Sequence, residues 1–295
     1  MGQRAWAGII DGAGCLQLRP LPRHASPIAT LSVILITKNE SADIDACLDS
    51  VAFADEWIVV DSGSTDGTAE QARRFGARVT ITSDWPGFGA QKQRALDLAS
   101  GDWVFSIDAD ERVTPELAAS LRAVVGSDGP ATVDAPVAYE ISRLSRFAGR
   151  WIRHGDWYPD HVLRLFRRGA ARFSPDLVHE RVVVVAKGRV GRLEGELHHD
   201  TMPTFEDAIA KMNRYSSGRA ADKSAAGGVG GVAAAIGHAA WAFLRSYVVR
   251  RGFLDGAAGF VVAVYIAEGT WWRYLKMAEL ARCLPPNLPE DRGRH

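Results

Sequence analysis

Between Leu31 and Asp108 the chain alternates four short apolar, largely β-branched runs, each ending at a polar side chain, with three stretches of helical spacing. The runs are Leu31–Thr37, 57–61, 78–82 and 102–108, with helices expected over about 43–51, Thr68–Phe75 and 91–99. Strands that alternate with helices pair in parallel, because a parallel neighbour needs a crossover long enough to hold a helix. The expected class is an α/β domain with a mainly parallel sheet flanked by helices. Ligands of such sheets sit beyond the carboxyl ends of the strands. Thr37, Asp61 and Asp108 stand at those ends.

From about 137 to 197 the texture turns to β, rich in Arg, aromatic and β-branched residues, and added strands carrying the acceptor side of a cleft are expected. Thr204, with Asp207 three residues on, opens a helix whose apolar face reads Phe205, Ala208, Ile209, Met212 and Tyr215. The expected division is an arm over 1–30, a catalytic domain over 31–200 and a helical region over 201–295. The arm carries Pro20, Pro22 and Pro27 and lacks the pattern of a signal peptide, so it reads as a flexible segment or as sequence upstream of the true start.

Charge and cysteine content narrow the function classes. A net charge of zero and a pI near 7.1 give no global basic footprint, so nucleic acid is not an expected partner. The three cysteines, Cys15, Cys47 and Cys283, are scattered and fit neither a disulfide framework nor a zinc site, which suits a cytoplasmic setting. Residues 224–244 and 256–267 contain no Asp, Glu, Lys or Arg. The second run is shorter than the roughly 20 residues that cross a bilayer, and the first is dominated by Ala and Gly. Arg245, Arg250 and Arg251 follow one run, and Trp271, Trp272, Tyr274 and Lys276 the other. That flanking suits helices at an anionic membrane interface; a packed helical subdomain and a true span are the alternatives.

The most specific local signal is Ile107-Asp-Ala-Asp-Glu111. Alternate residues of an extended chain share a side, so Asp108 and Asp110 can project together, one toward a hard divalent cation and the other toward a ribose hydroxyl or metal-bound water. By itself the pair also reads as a solvated turn. A second signal is Asp61 followed by a small-residue turn that opens a helix, where backbone can approach a ligand and Asp66 can cap.

Three segments in order, Ser32-Val-Ile-Leu-Ile-Thr-Lys-Asn-Glu40, Val60-Asp-Ser-Gly-Ser-Thr-Asp-Gly-Thr68 and Ile107-Asp-Ala-Asp-Glu111, resemble glycosyltransferase family 2. Asp176-Leu-Val-His-Glu-Arg181, Leu197-His198, Lys211-Met-Asn-Arg-Tyr215 and Arg245-Ser-Tyr-Val-Val-Arg-Arg-Gly-Phe-Leu-Asp-Gly256 are similar to its lipopolysaccharide core β-glucosyltransferase branch. The resemblance implies the nucleotide-binding GT-A fold and inverting transfer from a nucleotide-diphosphate sugar, by family weight UDP-glucose, with Mg²⁺ or Mn²⁺. It implies a glycan or glycolipid acceptor, such as the lipopolysaccharide inner core, at the inner face of the cytoplasmic membrane. Thr37, Asn39, Glu40 and Asp61 then contact the donor, Asp108 faces ribose or metal, and Asp110 binds the metal. Arg94 reaches a phosphate or is a solvated helix charge. His198 approaches the metal or is structural.

An inverting transfer needs a base for the acceptor proton. Glu180 is the candidate, against a surface acid in a turn. Trp157 and His179 are expected near the acceptor, and Arg143, Arg146, Arg150, Arg153 and Arg164 make this stretch suit an anionic one. Rival readings are a haloacid-dehalogenase-type phosphatase, which Arg112 disfavours, an inactive GT-A scaffold, and a polyprenyl-phosphate sugar transferase.

Overall fold

A computed structural model describes residues 6–10, 16–20, 29–127, 135–174 and 180–283. Two stretches of the expected arm, β1 (Trp6–Ile10) and β2 (Leu16–Pro20), pair antiparallel as a small sheet of their own. The repeat then follows as β3 (Leu31–Thr37), α1 (Ile44–Ser50), β4 (Glu56–Asp61), α2 (Thr68–Phe75), β5 (Arg78–Ile81), α3 (Phe88–Asp97) and β6 (Trp103–Ser106). Local chemistry ends these helices where the sequence suggests. Gly76, at φ +107°, closes α2 in the left-handed region that only glycine enters without strain.

The acidic segment continues into β7 (Glu111–Val113) and α4 (Pro115–Gly126). Thr114 caps α4 by accepting from the Leu117 N–H, with Pro115 in the first turn. The β-rich stretch resolves into β8 (Pro136–Phe147), β9 (Arg150–Trp151), β10 (Asp160–Arg167), β11 (Ala171–Phe173), β12 (Val182–Val184) and β13 (Arg189–Met202). The main sheet runs β5-β4-β3-β6-β10-β8-β13-β7, with β9 folded back on β8. Its first four strands are parallel; β10 is antiparallel to β6 and β8, and β7 to β13. Val33, Leu35, Val59 and Phe105 pack on one face, Ile34, Ile58, Val60 and Val104 on the other. Burial on both faces is what the continuous apolar runs encode. Because β4 lies to one side of β3 and β6 to the other, a crevice opens at their carboxyl ends.

The rest is helical: α5 (Phe205–Ala225), α6 (Val232–Leu244), a π turn at Arg245–Val249, a 3₁₀ turn at Gly252–Asp255 and α7 (Gly256–Cys283). The Thr204–Asp207 capping box is present. Helices α6 and α7 run antiparallel, with the Gly231 N–H on the Tyr274 carbonyl at one end and Phe243 and Tyr247 against Phe260 at the other. Their outer faces stay open: Ile236, Trp241, Leu244, Val248, Phe253 and Leu254 are exposed. Val232–Val249 and Gly252–Arg282 are long and apolar enough to cross a membrane, by length and composition alone.

The tip of this hairpin is bolted to the catalytic domain. Asp255 accepts from the Arg153 and His154 N–H groups and from His154 Nδ1, and the Gly155 N–H donates to the Arg250 carbonyl. Asp156 holds Arg245 at 2.7 Å and Arg250 at 3.1 Å. Glycine is required at this seam: a Cβ on Gly252 would lie 2.8 Å from the Ser246 carbonyl oxygen, and one on Gly259 would strike the Gly252 carbonyl. The segment from Arg245 to Gly256 is therefore the joint between helical region and catalytic domain.

Candidate active site

The loops after β3 and β4 are zipped together by polar side chains. Thr37 Oγ1 donates to Asp61 Oδ2 at 2.8 Å, and Asp61 also accepts from the Gly63 and Ser64 N–H groups and Ser64 Oγ. Asn39, at φ +57°, accepts from the Thr65 N–H, and its own N–H donates to Ser64 Oγ. Asp66 accepts from the Ser41 N–H and from Thr68, which keeps its carboxyl below the ordinary range. Asp61 is fully buried with both oxygens engaged. Of Thr37, Asn39, Glu40 and Asp61, Thr37 and Asp61 turn their side chains into the fold, while the exposed Asn39 ties the two loops together at the surface. Only Glu40 lines the cavity. Burial first, then Asp110 and other nearby acids, raises its pKa to about 7.

That cavity, of about 690 Å³, gathers Glu40, Lys92, Asp108, Asp110, Trp157 and Glu180. Lys92 Nζ lies 2.8 Å from Asp108 Oδ1 and 2.8 Å from Glu180 Oε1. Arg164 Nη2 takes Asp108 Oδ2 at 2.7 Å and the fully buried Glu111 at 2.6 Å. Burial works against an ionised Asp108, yet Arg164 and Lys92 together hold its carboxyl well below the usual range. Asp110 is differently placed: its partner is His199 Nε2 at 3.2 Å. Here too burial opposes ionisation most, and the hydrogen bond and charge of His199 together with Lys211 bring the net shift below the ordinary value.

Two expected residues stand elsewhere. Arg94 clamps Asp84 with both Nη atoms, at 2.8 and 2.7 Å, on the outer face of α3. A helix turns about 100° per residue, so Lys92, two positions back, points the opposite way into the cavity. His198 stacks on Trp151 at 4.4 Å and lies 3.8 Å from Glu196. Adjacent residues of a strand face opposite sides, and the register His199↔Glu111 puts His199 beside Asp110. Trp157 packs against Phe147 and Tyr265 on the cavity wall. His179 falls outside the described residues.

Lys92 and His199 are side chains the sequence reading missed, and Arg164, read as part of a basic stretch suited to an anionic acceptor, instead pairs with Asp108 and Glu111. Lys92 shares the buried face of α3 with Ala95 and Leu96, and Arg164 sits in a strand among Leu163, Leu165 and Phe166. A cation inside an apolar pattern is a signal that a buried acid awaits it. The cavity's other wall comes from Lys211, Arg214 and Arg219 on α5 and Tyr265, Thr270 and Arg273 on α7.

Mg²⁺ is commonly held by one or two carboxylates plus substrate phosphates rather than by a protein cage. Among the described residues, no three His, Cys, Asp or Glu side chains form such a cage. With Asp108 engaged by two cations, Asp110 is the acid of this pair left to meet a divalent ion together with substrate phosphates. Burial first, and then the nearby Asp110, raises the pKa of Glu40 on the same wall.

The Glycosyl transferase family 2 model matches residues 32–181. A lipopolysaccharide core biosynthesis glycosyltransferase of Rhizobium meliloti is 31% identical over 265 residues, covering 86% of this chain and 93% of that protein. The chain belongs to glycosyltransferase family 2. An uncharacterized glycosyltransferase of Rickettsia typhi is 32% identical to this family 2 enzyme over 259 residues, covering 85% and 87% of the two chains. A crystal structure of glucosyl-3-phosphoglycerate synthase from Mycobacterium tuberculosis with Mn²⁺, UDP and glucosyl-3-phosphoglycerate aligns with 40% of this chain and 44% of its own. The identity is 32% and the TM-score 0.31. The family match spans β3 to Glu180, the stretch that carries the acidic wall.

Proposed function

We propose that this family 2 glycosyltransferase moves a sugar, with glucose from UDP-glucose the first donor to test, onto a hydroxyl of a glycan such as the lipopolysaccharide inner core, with inversion. The observation that carries the reading is the single cation Lys92 shared by Asp108 and Glu180 at 2.8 Å each, on the wall that also holds Asp110. Glu180 Oε1 is oriented by Lys92, and Oε2 would take the acceptor proton. As that O–H bond breaks, the acceptor oxygen bonds to the anomeric carbon and the bond to the diphosphate oxygen releases its electron pair. A divalent cation held by Asp110 and the substrate phosphates would neutralise charge on the departing diphosphate. Lys211 is within electrostatic reach of Asp110 at the same end, although burial lowers its pKa. Trp157 and Tyr265 offer aromatic faces to the acceptor sugar.

The site would work at the inner face of the cytoplasmic membrane. In support, exposed Trp241, Leu244, Val248, Phe253 and Leu254 gather around a tip that carries Arg245, Arg250 and Arg251. The test is hydrolysis and transfer across a panel of nucleotide sugars with Mn²⁺ or Mg²⁺. Glu180→Gln is expected to lower kcat by about 10²–10⁴-fold with donor binding retained, and Asp110→Ala to abolish metal binding and, with it, the turnover. A wild-type chain that binds no nucleotide sugar would refute the reading, and transfer to polyprenyl phosphate would reassign the acceptor.

A further inference from the structure

Six cationic side chains line the cavity, and they divide into two kinds. Lys92 and Arg143 are paired, the first with Asp108 and Glu180, the second with Asp160 and Glu111. Lys211, Arg214, Arg219 and Arg273 all come from the helical wall, and none has a carboxylate within 4.0 Å among the described residues. Arg273 Nε is buried with no hydrogen-bond partner. Arg219 and Arg273 also line a second cavity of about 450 Å³, so both residues border the two spaces. Burial lowers the pKa of Arg273; Tyr274 opposes that shift and the charge of Arg219 adds to it.

Arg273 is half-buried and Arg219 beside it is exposed. Asp222 lines the second cavity with them, but among the described residues no ion pair joins it to either arginine, so the two guanidinium groups are open to an anion that joins them. The donor diphosphate is not that anion. Lys211 stands by Asp110, and Arg219 lies eight residues further along α5, about 12 Å at 1.5 Å per residue. Arg219 is instead close enough to Tyr265 to act on its hydroxyl, and Tyr265 packs against Trp157. The arginine pair therefore flanks the aromatic faces on the acceptor side of the cavity.

We propose that Arg219 and Arg273 form an anion subsite, separate from the donor diphosphate, that binds a phosphate monoester or a carboxylate carried by the acceptor. A planar guanidinium matches the oxygens of either group two at a time. The acceptor assignment rests on the transferase reading, but the anion site does not. With its anionic group held here, the acceptor sugar lies over Trp157 and Tyr265, and the reacting hydroxyl is turned toward Glu180.

The test is calorimetric titration of inorganic phosphate into the full chain, alone and pre-loaded with UDP and Mg²⁺. Phosphate is expected to bind in both states, to bind undiminished in Asp110→Ala, and to weaken by about 10- to 100-fold in Arg219→Gln and Arg273→Gln. Arg219→Lys keeps the charge and should recover part of the loss, which a fold defect would not. Equal phosphate affinity in wild type and both glutamine variants would overturn the proposal. So would loss of UDP binding in those variants, which would return the arginines to the donor site. A wild-type chain that binds phosphate but no UDP sinks the donor reading and leaves the subsite standing. Sedimentation with phosphatidylglycerol vesicles identifies the source of the anion. Vesicle binding lost in the arginine variants assigns the site to a lipid headgroup, and vesicle binding retained assigns it to the acceptor glycan.

Discussion

Arg164→Met isolates what holds the acidic wall in shape. Arg164 is 6% exposed and its Nη2 serves two carboxylates, Asp108 at 2.7 Å and the fully buried Glu111 at 2.6 Å. Methionine fills the aliphatic space and removes the charge. Asp108 keeps Lys92 at 2.8 Å, but Glu111 is left with Arg143 at 3.5 Å, a contact Arg143 shares with Asp160. Removing one partner of a buried pair costs about 3–5 kcal/mol. The lower end applies here, because Arg164 Nε is itself buried without a partner and its loss relieves that penalty. At about 2–4 °C per kcal/mol for a chain of this order of size, the thermal midpoint followed by circular dichroism at pH 7 should fall by about 6–12 °C.

The pH dependence gives the sign. In the wild type the depressed Asp108 contributes stability that is present above its unfolded pKa and lost only as pH falls through its lower folded value. In the variant, a carboxylate stripped of its cation takes up a proton more readily. The gap between the two proteins should therefore narrow from pH 7 to pH 5, and Arg164→Met combined with Glu111→Gln should recover part of the loss at pH 7. A gap below about 1 kcal/mol, or one that widens on acidification, would show that Arg164 compensates no buried charge.

Three further outcomes are expected. Glu40 has a folded pKa near 7 against an unfolded value near 4.5, so the metal-free protein should lose stability as pH rises between those values, and Glu40→Gln should remove that slope in denaturant titrations. Saturating Mn²⁺ should flatten it in the wild type; an unchanged slope in Glu40→Gln would place the titration elsewhere. Asp255→Asn weakens the bolt to Arg153 and His154 and should raise the KM for acceptor by about 3- to 30-fold, while donor hydrolysis keeps its rate; equal effects on both would make Asp255 a general stability residue. Val248→Asp with Leu254→Asp, both on the exposed tip, should cut sedimentation with anionic vesicles without moving the thermal midpoint, and full retention of vesicle binding would remove the membrane from the account.

The α/β order was legible because local periodicity carries it. The runs at Leu31–Thr37 and Thr68–Phe75 are found at those residues, and the Thr204–Asp207 capping box opens α5 as read. Asp108, Asp110, Trp157 and Glu180 were legible as cavity residues for a related reason, since strand ends and family spacing mark the crevice. Choices between near neighbours were not. Lys92 and Arg94 are both cations on one helix, and only the packing of α3 on the sheet decides which faces the acids. His198 and His199 alternate on β13, and only the pairing of that strand with Glu111–Val113 decides which meets Asp110. The same holds for the four helical-wall cations, which lie about 100 residues or more beyond the acids they face. The sequence by itself determined the class of fold, acids that line the cavity, and the family. Tertiary structure decided which side chains pair, because a pairwise electrostatic contact depends on a distance of a few ångströms, and no local pattern encodes a distance closed by the folding of a hundred intervening residues.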